Sequence, residues 1–193
     1  MRAVERSGYT VELSNDFKTC LQAVGLIVPG VGAYASCMEG LNKVRAAEIV
    51  DKRLVSNKSI LGICVGMQVM FSEGEEHSIT TLGLAQWRGA VTQLTAKILP
   101  HMGFNSVKVS AGSKMFSDIE TEQFYFLHSF AAKELDFERA ESFIKPLVHK
   151  SNYYEDFIAA IEDGPLWATQ FHPEKSGPAG LKLIENWLKQ LND

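Results

Sequence analysis

The sequence predicts an α/β fold, a mixed and largely parallel sheet flanked by helices. Three observations predict it. Short β-branched apolar runs in the first half end in glycine-containing turns, helical apolar spacing follows each of them, and strand-like segments dominate the second half. No repeat, low-complexity tract or Pro/Gly/Ser-rich linker interrupts the 193 residues, so residues 1–193 read as one domain of ordinary size with a substantial core.

The elements follow in order. "MRAVERSG" reads as the back half of a helix, and "TVEL" as a short strand after it. A doubly wound domain usually begins with a strand that becomes central, and here that strand would have to be missing. "AVGLIVPGVG" holds a strand at 24–28 running into a glycine-rich turn. "SCMEGLNKVRAAEIVDKRLVSN" carries Met38, Leu41, Val44 and Ile49 at helical spacing. "SILGIC" reads as a buried strand and "GMQVMFSEGEE" as a helix. Then come strand-like segments, "LGLAQWRGAVTQL", "NSVKVS", "QFYFLHSF", "DFIAAIED" and "LWATQFH". The closing helix, "PAGLKLIENWLKQLN", sets Leu181, Ile184, Trp187 and Leu188 on one core-facing side.

Composition narrows the function classes. Hydrophobic residues make up 46% and charged residues 22%, the balance of a soluble globular protein. A net charge of −4 with no basic block gives no electrostatic case for nucleic acid. No apolar run is long enough to span a membrane, and the N-terminus lacks the layout of a signal peptide. The three cysteines, Cys20, Cys37 and Cys64, do not form a disulfide framework, which points to a reducing, cytoplasmic setting. The partners expected are a small molecule or another protein.

Chemistry concentrates around Cys64. "GICVG" puts a cysteine between two glycines at a strand-to-helix junction, the pattern of a nucleophile elbow with sulfur in place of a serine oxygen. The sharp turn lifts the sulfur from the sheet to a helix N-terminus, where backbone N–H groups favour the thiolate. The N–H of Val65 then points to where an oxyanion would form. On the elbow alone, an inert core cysteine is an equal rival. A nucleophile needs a base.

Of the five histidines, only His172 has an orienting group in its own neighbourhood, in "TQFHPEKS". On an extended segment, His172 and Glu174 are two apart and face the same side, with Pro173 helping to hold the segment extended. A carboxylate beside an imidazole fixes its tautomer and stabilises its charged form. Alone, the tripeptide reads better as a surface turn. "VPGVGAY" supplies a glycine-rich loop directly after a strand, able to offer a second oxyanion N–H, although alone it reads as a tight turn. The three pieces together, in this order, are far more specific than any one.

"PGVGAY", "GICVGMQ" and "TQFHPEKS" together resemble the three signatures of the class I (triad) glutamine amidotransferases, a flavodoxin-like α/β family. "LPHMGFNSVKV", "FYFLHSF" and "FHPEKSGPAGLKLIENWL" narrow the resemblance to the glutaminase subunits of imidazole glycerol phosphate synthase, over nearly the whole chain. Two aromatic positions depart from that pattern: Phe104 stands where tryptophan is usual, and Phe130 where tyrosine is usual.

The resemblance implies glutamine hydrolysis with Cys64 as nucleophile, His172 as general base and acid, and Glu174 as its orienter. It implies oxyanion donors in Gly30, Val31 and Gly32 and at Val65. Gln68 and Glu76 would hold the glutamine substrate, Glu76 at the α-amino group, and the backbone of His128, Ser129 and Phe130 would bind the α-carboxylate end. Tyr125, Lys175 and His101 would lie toward the partner and the ammonia path. His77 and His149 read as solvated surface. No metal or organic cofactor is implied, since thiolate, imidazole and oxyanion hole suffice. The implied partner is a separate (β/α)₈ cyclase subunit, forming a heterodimer that serves histidine biosynthesis, with no role for nucleic acid or membrane.

The family normally opens with a strand and a "DYGxGN" turn, and the expected cost of lacking them falls on stability and cyclase docking. Three rival readings stand beside this one. They are a paralogous glutaminase serving another amidating synthase, an N-terminally truncated inactive subunit, and a cysteine hydrolase or chaperone-like protein sharing only the elbow. Glu174 after His172, with Gln68 in place, argues against the last.

Overall fold

The structure, a computed structural model, describes residues 2–5, 8–136 and 145–192. Helix α1 (Arg2–Glu5) confirms the helical reading of the opening segment, while Met1, Arg6 and Ser7 lie outside the described residues. The expected strand "TVEL" does not form. Residues 9–13 are irregular, and Tyr9 and Val11 pack on the core instead of joining a sheet, because no strand edge takes them up.

In the central sheet, strands β1 (Leu26–Gly30), β2 (Ile60–Cys64) and β11 (Leu166–Thr169) run parallel, and β10 (Glu155–Asp163) and β9 (Leu147–Tyr153) add antiparallel pairs. The strand order is β1–β2–β11–β10–β9. Strand β2 lies between two parallel neighbours with four of its five residues buried, which is why it reads as one apolar run. One core cluster holds Leu61, Phe157, Trp167 and Trp187, and another holds Ile60, Tyr34, Phe71 and Ile161. Alternate residues of the same strands thus feed opposite faces.

The helix expected over 36–57 is two helices, α3 (Tyr34–Lys43) and α4 (Ala46–Val55). Arg45 breaks them with a left-handed φ of 59°, held by an ion pair to Glu48 and by stacking over Phe17 of α2 (Phe17–Gln22) at 4.4 Å. The helix expected over 66–76 is only one turn, α5 (Val65–Gln68). The rest is strand β3 (Phe71–Glu76), because Phe71 and Gly74 pair with β5 (Trp87–Gln93) in a second sheet. Strand β4 (Ile79–Leu82) forms a hairpin with β3, and β8 (Phe130–Ala132) closes the other edge, giving the order β4–β3–β5–β8. The "NSVKVS" strand lies earlier, as β6 (His101–Ser106), paired with β7 (Gln123–His128) in a two-stranded ribbon.

Helix α6 (Gly177–Lys189) buries Leu183, Ile184, Trp187 and Leu188; its apolar face is turned so that Leu181 is half-exposed. His149 is the clear misreading. It is fully buried on β9, where Nδ1 accepts the Ser110 N–H and Nε2 meets Glu162 at 3.0 Å. Glu162 also accepts the N–H groups of Lys114 and Met115, so a satisfied network holds the imidazole in the interior. Strand β9 itself was not foreseen, since "LVHKSNY" places the polar His149 and Ser151 on its inward face.

Candidate active site

Strand β2 ends in the site. Cys64 is 5% exposed and adopts φ 55°, ψ −113°, a conformation side chains rarely adopt and one suited to a nucleophile on a sharp turn. Only glycine fits beside it. A Cβ on Gly66 would overlap the Val28 carbonyl oxygen, and one on Gly62 would come 2.7 Å from the Gly66 carbonyl. The elbow is therefore wedged between β1 and β2.

His172 follows β11 and is also buried. Its Nδ1 lies 2.7 Å from Glu174 Oε1. The route differs from the expected extended segment: His172 is extended, but Glu174 sits in the 3₁₀ turn Pro173–Lys175. The turn is clamped to β7. His172 N–H donates to the Tyr125 carbonyl at 2.9 Å, Ser176 Oγ donates to the His172 carbonyl at 2.7 Å, and the Tyr125 N–H donates to Ser176 Oγ at 2.9 Å. Hydrogen bonds to Cys64 first and Glu174 second push the His172 imidazole up to about 9, against the opposing effect of burial. Burial raises the Glu174 carboxyl, but the bond to His172 and backbone contacts prevail and hold it below its ordinary value.

A cavity of about 200 Å³ lies over this group, lined by Cys64, Val65, Gln68, Glu76 and His172, by Val31 and Gly32, and by residues 127–130 and Lys175. Of the expected substrate residues, Gln68, Glu76, His128, Ser129 and Phe130 all line it. Glu76 Oε2 accepts the Tyr34 N–H at the start of α3 at 2.9 Å, which fixes the carboxylate at the cavity wall. The Ser129 carbonyl is occupied by the Leu94 N–H, and the Phe130 carbonyl by Gln68 and His128.

Gly30, Tyr125, His101 and Glu174 stand outside the lining. Gly30 packs behind the elbow against Gly66. Tyr125 lies beneath Lys175 Nζ, 5.9 Å from its ring centroid, and edge-on to Phe104. His101 backs His128, Nδ1 to Nε2 at 3.1 Å, and Asn105 reaches the far side of His101 at 3.3 Å. Burial holds His101 down to about 4, and burial with the neighbouring His101 holds His128 down to about 3. A larger open groove of about 520 Å³ beside Phe104 and Lys182 includes Ser176 and Glu122 in its lining but neither Cys64 nor His172. Among the described residues no group of three or more His, Cys, Asp or Glu could hold a metal ion, and no helix is long and apolar enough to cross a membrane.

Sequence reasoning missed Gln170. Its Nε2 lies 3.8 Å from Cys64 Sγ and its Oε1 accepts from Gln68 Nε2 at 3.0 Å. The available signal was a fully buried amide in the apolar segment "LWATQF".

Residues 4–191 match the model of the family described as glutamine amidotransferase class-I. The chain belongs to that family. Relatives named imidazole glycerol phosphate synthase subunit HisH include those of Streptomyces avermitilis, 47% identical over 98% of this chain and 89% of that one, and Thermobifida fusca, 47% identical over 98% and 91%. The family's fold is seen in a solved glutamine amidotransferase, with TM-score 0.74 at 16% identity, covering 100% of this chain and 92% of that one. A putative GMP synthase protein from Thermoplasma acidophilum superposes with TM-score 0.71 at 20% identity, covering 99% and 85%.

Proposed function

We propose that this chain hydrolyses glutamine to glutamate and ammonia through Cys64, His172 and Glu174. The ammonia passes to the (β/α)₈ cyclase of imidazole glycerol phosphate synthase. There it reacts with a phosphoribulosyl formimino intermediate of histidine biosynthesis, giving imidazole glycerol phosphate and aminoimidazole carboxamide ribotide. The observation that carries the reading is a strained, buried cysteine that lines one cavity with a buried imidazole, whose Nδ1 is tied to a carboxylate at 2.7 Å. The place in the synthase rests on the similarity to HisH chains.

Glutamine enters with its α-amino group at Glu76, its α-carboxylate at residues 128–130, and Gln68 beside it. The Cys64 sulfur attacks the side-chain amide carbon while His172 Nε2 holds the sulfur's proton. The oxyanion is met by the Val65 N–H and the Gly30–Gly32 loop. His172 returns the proton to the departing nitrogen, ammonia leaves, and a thioester remains. His172 then takes a proton from water, the hydroxide adds to the thioester, and glutamate departs as the sulfur is restored.

Docking of the cyclase is supported by the ribbon β6–β7, where Met102 is 66% and Phe104 57% exposed beside Tyr125 and Lys175. Three free cysteines fit a cytoplasmic setting. The test is glutamate release by the purified chain, with and without the cyclase in its nucleotide-bound form. Strong stimulation by the liganded cyclase, lost in Cys64→Ala, is expected. Turnover unaffected by the cyclase would overturn the placement in this synthase.

A further inference from the structure

We propose that Gln170 is a further catalytic residue, its side-chain N–H acting as a fixed second donor to the Cys64 sulfur. The inference rests on the triad reading above and follows from the direction of a hydrogen-bond chain. The Phe130 carbonyl can only accept, and it receives Gln68 Nε2 at 2.8 Å. That contact orients the Gln68 amide. The same NH₂ group lies 3.0 Å from the Gln170 side chain, which must therefore present its oxygen. The Gln170 NH₂ is left facing Cys64 Sγ at 3.8 Å. Turning Gln170 over would set donor against donor, and turning Gln68 over would set its oxygen against the Phe130 carbonyl, both around a fully buried Gln170.

The Phe130 carbonyl is itself held from the other side. His128 Nδ1 donates to it at 3.0 Å, His101 Nδ1 faces His128 Nε2, and the Asn105 amide faces His101 Nε2. One set of tautomers satisfies every member, and the Phe130 carbonyl, which can only accept, sets the direction from Gln68 through to the sulfur.

The chemical need is local. A buried sulfur, 5% exposed, that carries negative charge with a single imidazole partner is poorly compensated. The Leu127 carbonyl at 4.0 Å accepts from the thiol form and works against the charge. An amide donor that does not titrate offsets it at every pH.

The test separates donation from scaffolding. Gln170→Glu keeps an oxygen for Gln68 but removes the donor to sulfur, while Gln170→Met removes both. Carbamidomethylation of Cys64 by iodoacetamide at pH 7 is followed by peptide mass spectrometry, with Cys20 and Cys37 as internal references, alongside kcat and KM for glutamine. Both variants are expected to slow Cys64 alkylation about tenfold, with kcat lowered and KM little changed. Gln170→Glu alkylated at the unsubstituted rate would overturn the proposal and leave the triad standing. Cys64 no faster than Cys20 and Cys37 in the unsubstituted chain would overturn both. Should either variant fail to fold, the ¹⁵N-labelled unsubstituted chain decides. The Gln170 side-chain amide signals shift when Cys64 is alkylated, and unmoved signals would overturn the donor role.

Discussion

His172 Nδ1 and Glu174 Oε1 are 2.7 Å apart, although one residue separates them and only the histidine is deeply buried. The bond commits the Nδ1 proton and leaves Nε2 for Cys64. Glu174→Gln removes the charge that holds the imidazolium. The expected result is a fall in kcat for glutamine hydrolysis of roughly 100-fold or more, with KM changed little, measured in steady-state assays. Thermal stability should move little, since the Glu174 side chain is 44% exposed.

The pH dependence of stability has two limbs of opposite sign. His101 and His128 are held down to about 4 and about 3, so between those values and 6.5 the unfolded chain binds protons that the native one does not. Their contribution is present above pH 6.5 and lost as pH falls through about 4 and about 3. His172, raised to about 9, contributes fully below pH 6.5 and loses its contribution as pH rises through 9. Urea unfolding across pH 4–10 should show both limbs, and His172→Asn should flatten only the alkaline one.

Arg53 is fully buried, and its partners are carbonyls: Cys20, Leu21, Ala23, Val24 and Ser59. It ties the end of α2 to the starts of β1 and β2. Arg53→Met leaves those carbonyls without a donor and should cost about 3 kcal/mol, or roughly 10 °C in Tm by calorimetry.

Two glycines separate elbow geometry from helix propensity. Gly66→Ala drives a Cβ into the Val28 carbonyl and should cost more than about 3 kcal/mol or abolish folding. Gly40, exposed inside α3 with open space around it, should gain up to about 1 kcal/mol as Ala. Parallel urea titrations of the two variants check the contrast.

The first half of the central sheet was legible because buried parallel strands are nearly uniform apolar runs, as in β1 and β2. Cys64, His172 and Glu174, the proposed triad, could be grouped from the sequence because each sits in a short pattern just after a strand. What could not be read depended on long-range pairing. "FSEGEE" becomes a strand because β4 and β5 lie on its two sides, and the break at Arg45 depends on Phe17, twenty-eight positions earlier. His149 looked like surface because its partners, Ser110 and Glu162, are distant in sequence. Gln170 was passed over because its role depends on how Gln68 is turned, a fact set by the Phe130 carbonyl.

The most direct test is intact-mass and peptide analysis of the chain after exposure to acivicin, an electrophilic glutamine analogue, with and without excess glutamine. A single adduct on Cys64, suppressed by glutamine and lost in His172→Asn, is the expected result. Label on Cys20 or Cys37 instead, or on Cys64 without protection by glutamine, would contradict a glutaminase centred on Cys64.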